Sequence, residues 1–189
     1  MEISFSKITS QIKEVILNPK DFWIKKKESE DSQMELMASY FLPVLSAVAV
    51  VVFLGEFFRS THFYIGYAVL KAVREIILFL LEYYLAVFFS TELMKTFGAE
   101  KNIIVARKLV VYSFTPFLLV SMVTGLFPFL YVLDILGLYS FYIFWLGVGE
   151  LLVFPDQKQN SYAILTIVVN FFVFSFLSIF LSKLLTAYF

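Results

Sequence analysis

The chain has no cysteine and only one histidine, His62, among its 189 residues. Without cysteine it forms no disulfide, no thiol nucleophile and no thiolate metal site. One histidine offers little material for a zinc site or a histidine proton relay. The motifs G-x-S-x-G and H-E-x-x-H and the phosphate-binding P-loop are missing too. The sequence therefore favours a protein that is not an enzyme and needs no cofactor or metal.

Charge is also scarce. Charged residues make up 16% of the chain, and 15 basic residues balance 15 acidic ones. No uncompensated basic face is left, so a nucleic-acid partner is not expected. Hydrophobic residues reach 60%, and the mean hydropathy is +0.84. A soluble core of this length has no room for so much apolar surface. The composition predicts an integral membrane protein.

The first segment, residues 1–35, is predicted to be cytoplasmic. Within it, residues 3–17 place apolar side chains on one helix face and polar ones on the other. This amphipathic helix either lies in the membrane interface or packs against the protein's own spans. Asn18-Pro19 is expected to end it, and Phe22-Trp23 to act as an interfacial aromatic anchor. A polar linker follows over residues 28–35. No cleavable signal peptide is recognised, so the first span is expected to serve as the targeting signal.

Five apolar segments then make up a transmembrane domain over residues 36–189. Most are close to the roughly 20 residues that cross about 30 Å of hydrocarbon. Continuous apolar runs predict helices, because the strands of a membrane barrel would alternate with a period of two. The segments cover about residues 36–58, 65–97, 104–126, 129–153 and 161–185. The fold class predicted is an all-α membrane protein with five transmembrane helices and a short N-terminal amphipathic helix.

The distribution of positive charge predicts the orientation. Lysine and arginine concentrate in the N-terminal segment, in the turn between the second and third segments, and before the fifth. The opposite side has only Arg59 and Lys183, with Lys71 and Arg74 inside or beside a span. By the positive-inside rule the N-terminus is cytoplasmic, and five spans then place the C-terminus outside.

The second segment carries four charges on one helix face. At about 100° per residue, Lys71, Arg74, Glu75 and Glu82 fall within a stripe about 100° wide. Charges are costly in lipid, so the stripe faces the bundle interior, a water-filled groove or the membrane surface. Either the first three charges pair at headgroup depth or the stripe lines a functional groove. We expect Lys71 to pair with Glu75, and Arg74 with a second acid or a lipid phosphate.

Glu82 lies about 10 Å deeper along the helix than Glu75 and is too far away to join that pair. It is expected to point into the bundle, where it binds a proton or meets a Tyr or Asn donor from another span. We expect it to be the most function-sensitive residue of the stripe.

Other polar residues lie in or beside the apolar segments. Asp134 is near the start of the fourth segment and Glu150 is near its end, so both are expected at an interface. Asn170 lies about midway along the fifth segment and is expected to form an interhelical hydrogen bond. The spacing Ser178-x-x-x-Ser182 in the same segment permits close helix contact.

Pro116 lies inside the third segment and is expected to bend that helix. Proline has no N–H for the carbonyl of Tyr112, so the bend should lie within one turn before it. Ser113 and Thr115 are the neighbouring hydroxyls that can bond the freed carbonyls.

These features resemble the Yip-domain family of membrane proteins. The similarity lies in L-N-P-K-D-F-W (17–23), the five apolar segments, the aromatic-Ser-x-Thr-Pro signature from Tyr112 to Pro116, and L-D-I-L-G-L-Y in the fourth segment. It covers roughly residues 15–180. In eukaryotes the family implies partnership with Rab GTPases, vesicle trafficking and Golgi organisation, with a much longer cytoplasmic N-terminus. The short segment here resembles the prokaryotic branch, for which the family implies a fold and topology but no established activity.

Together, residues and resemblance predict a non-enzymatic Yip-type protein of the cytoplasmic (inner) membrane, acting in membrane organisation, trafficking or lipid handling. Membrane lipids are the expected partners. Other membrane proteins or further copies of the chain are additional candidates. Two alternatives stay open. One is a small transporter or channel whose path the stripe lines, and the other is a scaffold that gathers membrane proteins through its Tyr- and Phe-rich spans.

Overall fold

The computed structural model describes residues 5–29, 36–59, 63–155 and 158–188. Within these ranges the chain is helical and contains no β-strand, which confirms the predicted all-α class. The start of the predicted N-terminal helix, most of the predicted polar linker and the predicted loop around His62 lie outside the described residues.

Five helices in the described residues are long and apolar enough to cross a membrane, as predicted. We call them the first to fifth spans. They run Met37–Phe58, Ile65–Thr96, Ile103–Leu126, Pro128–Leu151 and Lys158–Ala187. The first opens with a π-helical turn at Met37–Phe41 and continues as α-helix over Leu42–Arg59, and the helix of the fifth runs over Lys158–Tyr188.

The third and fourth spans are irregular. The third consists of two α-helices, Ile103–Ser113 and Thr115–Leu126, separated at Phe114. The fourth begins with a 3₁₀-helix over Pro128–Leu138 and becomes α-helical over Tyr139–Leu151. The 3₁₀ segment is kinked at Leu130, whose φ and ψ of −89° and 19° are not helical. The helix predicted from the apolar run is confirmed, and its first half is 3₁₀ rather than α-helical.

The third span is the centre of the bundle. It packs against the first, second and fourth spans, while the fifth packs against the second and fourth. Half of the most apolar stretch of the third span is buried (50%), against 17% in the fifth. The fifth span thus presents most of its apolar surface outward, as a lipid-facing helix does.

Two glycines fix where the first and third spans cross. A Cβ added to Gly55 would lie 1.8 Å from the carbonyl oxygen of Gly125. A Cβ added to Gly125 would lie 2.5 Å from Cγ2 of Val52. The backbones approach so closely that no larger side chain fits at this crossing.

Two short helices precede the spans. Helix α1 covers Phe5–Leu17 and ends before Asn18-Pro19, as predicted. Helix α2 covers Pro19–Lys27, with the proline in its first turn, where a missing N–H costs nothing. Val15 of α1 is fully buried, and the hydroxyl of Tyr139 donates to the carbonyl of Ile16 at 3.1 Å. Of the two alternatives for α1, the structure therefore favours packing against the protein's own spans.

Helix α2 carries its aromatic residues into the protein. Phe22 and Trp23 are 2% and 0% exposed, and Trp23 Nε1 donates to the carbonyl of Ile143 at 3.0 Å. With Tyr40 and Tyr112 they form what we call the aromatic cluster, whose neighbouring ring centroids lie 4.8 to 6.0 Å apart. The prediction that Phe22-Trp23 is an interfacial anchor is wrong, because both rings are enclosed by protein.

Candidate functional site

A cavity lies among the second, third, fourth and fifth spans. We call it the charged cavity. Its volume is about 470 Å³, within the range of pockets that hold small molecules. Its polar lining comprises Arg74, Glu75 and Asp134 and the hydroxyls of Ser121, Thr124, Ser175 and Ser178. Apolar side chains, among them Leu138, Phe171 and Ile179, complete the wall.

Arg74 connects the second span to the fifth at the base of this cavity. Its Nη2 donates to the Ser178 carbonyl oxygen at 2.9 Å, to the Ser178 Oγ at 2.9 Å and to the Ser182 Oγ at 2.8 Å. Its Nη1 pairs with the carboxylate of Glu75. The side chains of this ion pair are only 16% and 10% exposed. The guanidinium charge is thus paired and Nη2 bonds the fifth span, while the buried Nε has no hydrogen-bond partner among the described residues.

Lys71 has a different partner from the one the sequence indicated. It forms an ion pair with Glu56 of the first span, and Glu75 pairs with the neighbouring Arg74. The expected Lys71–Glu75 pair is therefore wrong. Helical periodicity places residues 71 and 75 on one face, but the acid on the first span competes successfully for the lysine. The Lys71–Glu56 ion pair ties the second span to the first, and the hydrogen bonds of Arg74 to Ser178 and Ser182 tie it to the fifth.

Glu82 lies in a second, much smaller cavity of about 20 Å³, which we call the inner cavity. It is 2% exposed and surrounded mainly by phenylalanine rings. Asn170 of the fifth span lines the same cavity. Among the described residues, neither Oε2 of Glu82 nor Oδ1 of Asn170 has a hydrogen-bond partner. The volume has room for one water molecule beside these two polar groups.

A pair of stacked rings separates the two cavities. Phe117 and Phe174 line both of them, and their centroids are 5.1 Å apart with planes 28° from parallel. Gly137 makes room for this arrangement, because a Cβ there would lie 2.6 Å from Cδ1 of Phe117. The Phe117–Phe174 stack therefore lies between the charged cavity and Glu82.

The other predicted polar residues are spread over the bundle. Asp134 is exposed and lines the charged cavity from the 3₁₀ segment. Glu150 is half-buried in the last turn of the fourth span, at the end opposite Asp134. Asn170 is half-buried at the inner cavity. The structure thus brings Asp134 together with Arg74 and Glu75, and leaves Glu150 apart.

The region around Pro116 shows how the third span tolerates its proline. The two helices are separated at Phe114, whose φ and ψ are −73° and −10°. The Tyr112 ring belongs to the aromatic cluster, and Thr115 Oγ1 bonds the hydroxyl of Tyr40 at 2.7 Å. The Oγ of Ser113 has no partner in the described part of the chain. The expectation that these hydroxyls bond freed carbonyls is therefore wrong, since Thr115 bonds a side chain instead.

Sequence reasoning missed Glu56, although a signal was present. Glu56 is an acid inside an apolar segment, 6% exposed, and the argument applied to the second span applies equally to it. The spacing Ser178-x-x-x-Ser182 suggested close packing, whereas the structure gives both serines an additional role as acceptors for Arg74.

Metal ligation has no evident place in this arrangement. Across residues 5–29, 36–59, 63–155 and 158–188, no three His, Asp or Glu side chains cluster closely enough to hold an ion. The lining of the charged cavity instead suits hydrogen bonding and ion pairing with an organic, partly apolar molecule.

Fold and cavity together define a class: a multi-span, all-α membrane protein with ion-paired polar residues gathered inside its bundle. A family model described as the Yip1 domain matches residues 13–177, most of the chain. The protein belongs to the Yip1 domain family. No curated protein and no solved structure matches the chain.

Proposed function

We propose that the protein is a non-enzymatic lipid-handling protein that acts in membrane organisation, and that the charged cavity receives a phospholipid headgroup from the surrounding bilayer. One observation carries the proposal. The cavity combines charged and hydroxyl groups at its base with exposed apolar side chains, Leu138, Phe171 and Ile179, along its wall. A phospholipid has the same polarity pattern, a charged headgroup joined to apolar chains.

The ion pairs support this proposal. Arg74 is held by Glu75 and two serines, so the base of the cavity is organised before any ligand arrives. Preorganised polar groups bind with less loss of conformational entropy. Further copies of the chain or other membrane proteins would then contact the outward face of the fifth span.

Lipid retention tests the proposal. Ser175 lines the charged cavity, so Ser175→Phe should fill it. Ser161, exposed on the same helix, provides the matched control Ser161→Phe. We expect phospholipid bound per purified chain, measured by native mass spectrometry, to fall at least about tenfold in Ser175→Phe and to stay unchanged in Ser161→Phe. Equal retention by all three correctly folded proteins would refute the proposal.

Transport is the second candidate, and one observation favours it. Polar groups continue past the Phe117–Phe174 stack, because Asn170 lines the inner cavity and also a further cavity of about 20 Å³ beside Ser113. If the stack is a gate, Phe117→Ala should open it. Proteoliposomes with this variant should then show a larger proton or ion flux than proteoliposomes with the wild type. Protein-free liposomes provide the background flux. If neither protein exceeds this background, lipid handling remains the better explanation.

We further propose that the protein lies in the cytoplasmic (inner) membrane with its N-terminus in the cytoplasm and its C-terminus outside. The charge distribution supports this orientation. Since the chain has no cysteine, a single one can be introduced at the exposed Glu100 or after Phe189. An impermeant thiol reagent added to intact cells should label the second protein and not the first, and the reverse result would invert the topology.

A further inference from the structure

We infer that the charged cavity selects a phospholipid with an ethanolamine headgroup, whose ammonium group binds Asp134 and whose phosphate binds the serine hydroxyls that Arg74 organises. This inference rests on the proposed function and adds the chemical class of the lipid to it.

The charge of the cavity lining favours a cation. Arg74 and Glu75 pair with each other and cancel. Asp134 is exposed and has no ion-pair partner within the described residues. The lining therefore carries one uncompensated negative charge. A primary ammonium group complements it both by charge and by its three N–H donors, whereas an anionic headgroup adds repulsion.

The hydroxyls around Arg74 provide a place for the phosphate. The oxygens of Ser178 and Ser182 accept from Nη2 of Arg74. Each hydroxyl keeps its own hydrogen, and accepting from a cation makes it a better donor. Of these serines Ser178 lines the charged cavity, together with Ser175 and Ser121. Phosphate oxygens accept such bonds well, and the nearby guanidinium favours their negative charge.

The apolar rim favours a lipid over a soluble phosphoethanolamine compound. Leu138 is 45% exposed, Phe171 43% and Ile179 59%. These side chains belong to the fourth and fifth spans, on the two sides of the cavity. In a bilayer they would meet acyl chains while the headgroup occupied the polar base. Because acyl chains match this apolar rim, we commit to a membrane lipid as the occupant.

Competition among lipids tests the inference. The full-length chain is incubated in mixed micelles with equal amounts of phosphatidylethanolamine, phosphatidylcholine and phosphatidylglycerol, and bound lipids are counted by native mass spectrometry. We expect the wild type to prefer phosphatidylethanolamine over phosphatidylglycerol about tenfold, the ratio that about 1.4 kcal/mol gives. Asp134→Asn should reduce the preference to about twofold or less. Glu150→Gln removes an acid from the other end of the same span and should leave the preference unchanged.

The outcomes separate the two proposals. Lipid retention without a headgroup preference, or the same loss of preference in Glu150→Gln, would overturn the inference and leave lipid binding standing. Unchanged retention in Ser175→Phe would overturn the proposed function itself. Soluble phosphoethanolamine that displaces the lipid at equal concentration would show that the site recognises the headgroup alone, contradicting a bilayer source.

Discussion

The aromatic cluster and the charged cavity are two ways in which one bundle holds polar atoms. In the aromatic cluster the rings of Trp23 and Tyr112 are enclosed, and the polar tips of Trp23 and Tyr40 each have a partner. In the charged cavity, Arg74 and Glu75 border about 470 Å³ of space. One region is filled with side chains, and the other keeps charged groups beside room for another molecule.

This difference separates structural from functional polar groups. The aromatic cluster satisfies its hydrogen bonds internally, so it stabilises the position of the N-terminal helices and offers nothing to a ligand. The charged cavity keeps an exposed acid, Asp134, and several hydroxyls on its wall. Changes in the first region should therefore alter stability, whereas changes around the second should alter binding as well.

The largest effect is expected in the aromatic cluster. Trp23→Ala removes a fully buried ring and its hydrogen bond to Ile143, which should lower the free energy of unfolding by about 5 kcal/mol. Unfolding by SDS titration, followed by circular dichroism, measures this. Ile24→Ala, next to it and 45% exposed, is the control and should change stability by less than about 0.5 kcal/mol. Similar effects at both positions would contradict the enclosed placement of Trp23.

Arg74→Met should have the next largest effect. It leaves the Glu75 carboxylate without its cation in a poorly exposed site, so we expect a loss of about 3 kcal/mol. The double variant Arg74→Met/Glu75→Gln should recover about half of that loss, since no charge then remains unpaired. Lys95→Met, at an exposed position of the same span, is the control. If the double variant were less stable than Arg74→Met, the unpaired Glu75 carboxylate would not be the cause of the stability loss in Arg74→Met.

Glu82 should show the smallest effect on stability. Glu82→Gln keeps the shape of the side chain and a polar group beside Asn170, so we expect a change in the free energy of unfolding below about 0.5 kcal/mol. Glu82→Leu leaves Asn170 facing an apolar side chain and should cost about 1 to 2 kcal/mol. In the double variant Glu82→Leu/Asn170→Leu the two losses should not add. Strict additivity would mean that the two residues do not interact across the inner cavity.

The spans were predictable from the sequence because hydropathy depends on composition along the chain alone. The five predicted segments agree with the five spans to within a few residues, and helical periodicity alone places residues 71, 74, 75 and 82 on one face. Asn18-Pro19 also predicts the end of α1, because the steric clash with proline is local.

Contacts between spans were not predictable in the same way. Periodicity gives the direction of Lys71 on its own helix, but Glu56 becomes its partner only through the crossing of the first and second spans. The pattern Phe22-Trp23 followed by lysines is the same for a membrane anchor and for a helix that packs on the fourth span. The charged cavity is formed by side chains of four spans. Its shape depends on the distances among these spans, which the sequence of a single segment does not determine.

Rates of thiol labelling test the central comparison most directly. The chain has no cysteine, so Ser175→Cys reports on the charged cavity and Ser113→Cys, at a side chain 3% exposed, on the closed interior. Both variants replace a serine by a cysteine of nearly the same size. With a small, neutral methanethiosulfonate reagent and delipidated protein, we predict that Ser175→Cys reacts at least about a hundredfold faster, in line with a difference of about 2.8 kcal/mol in access. Equal rates at the two positions would contradict an accessible charged cavity beside a closed interior.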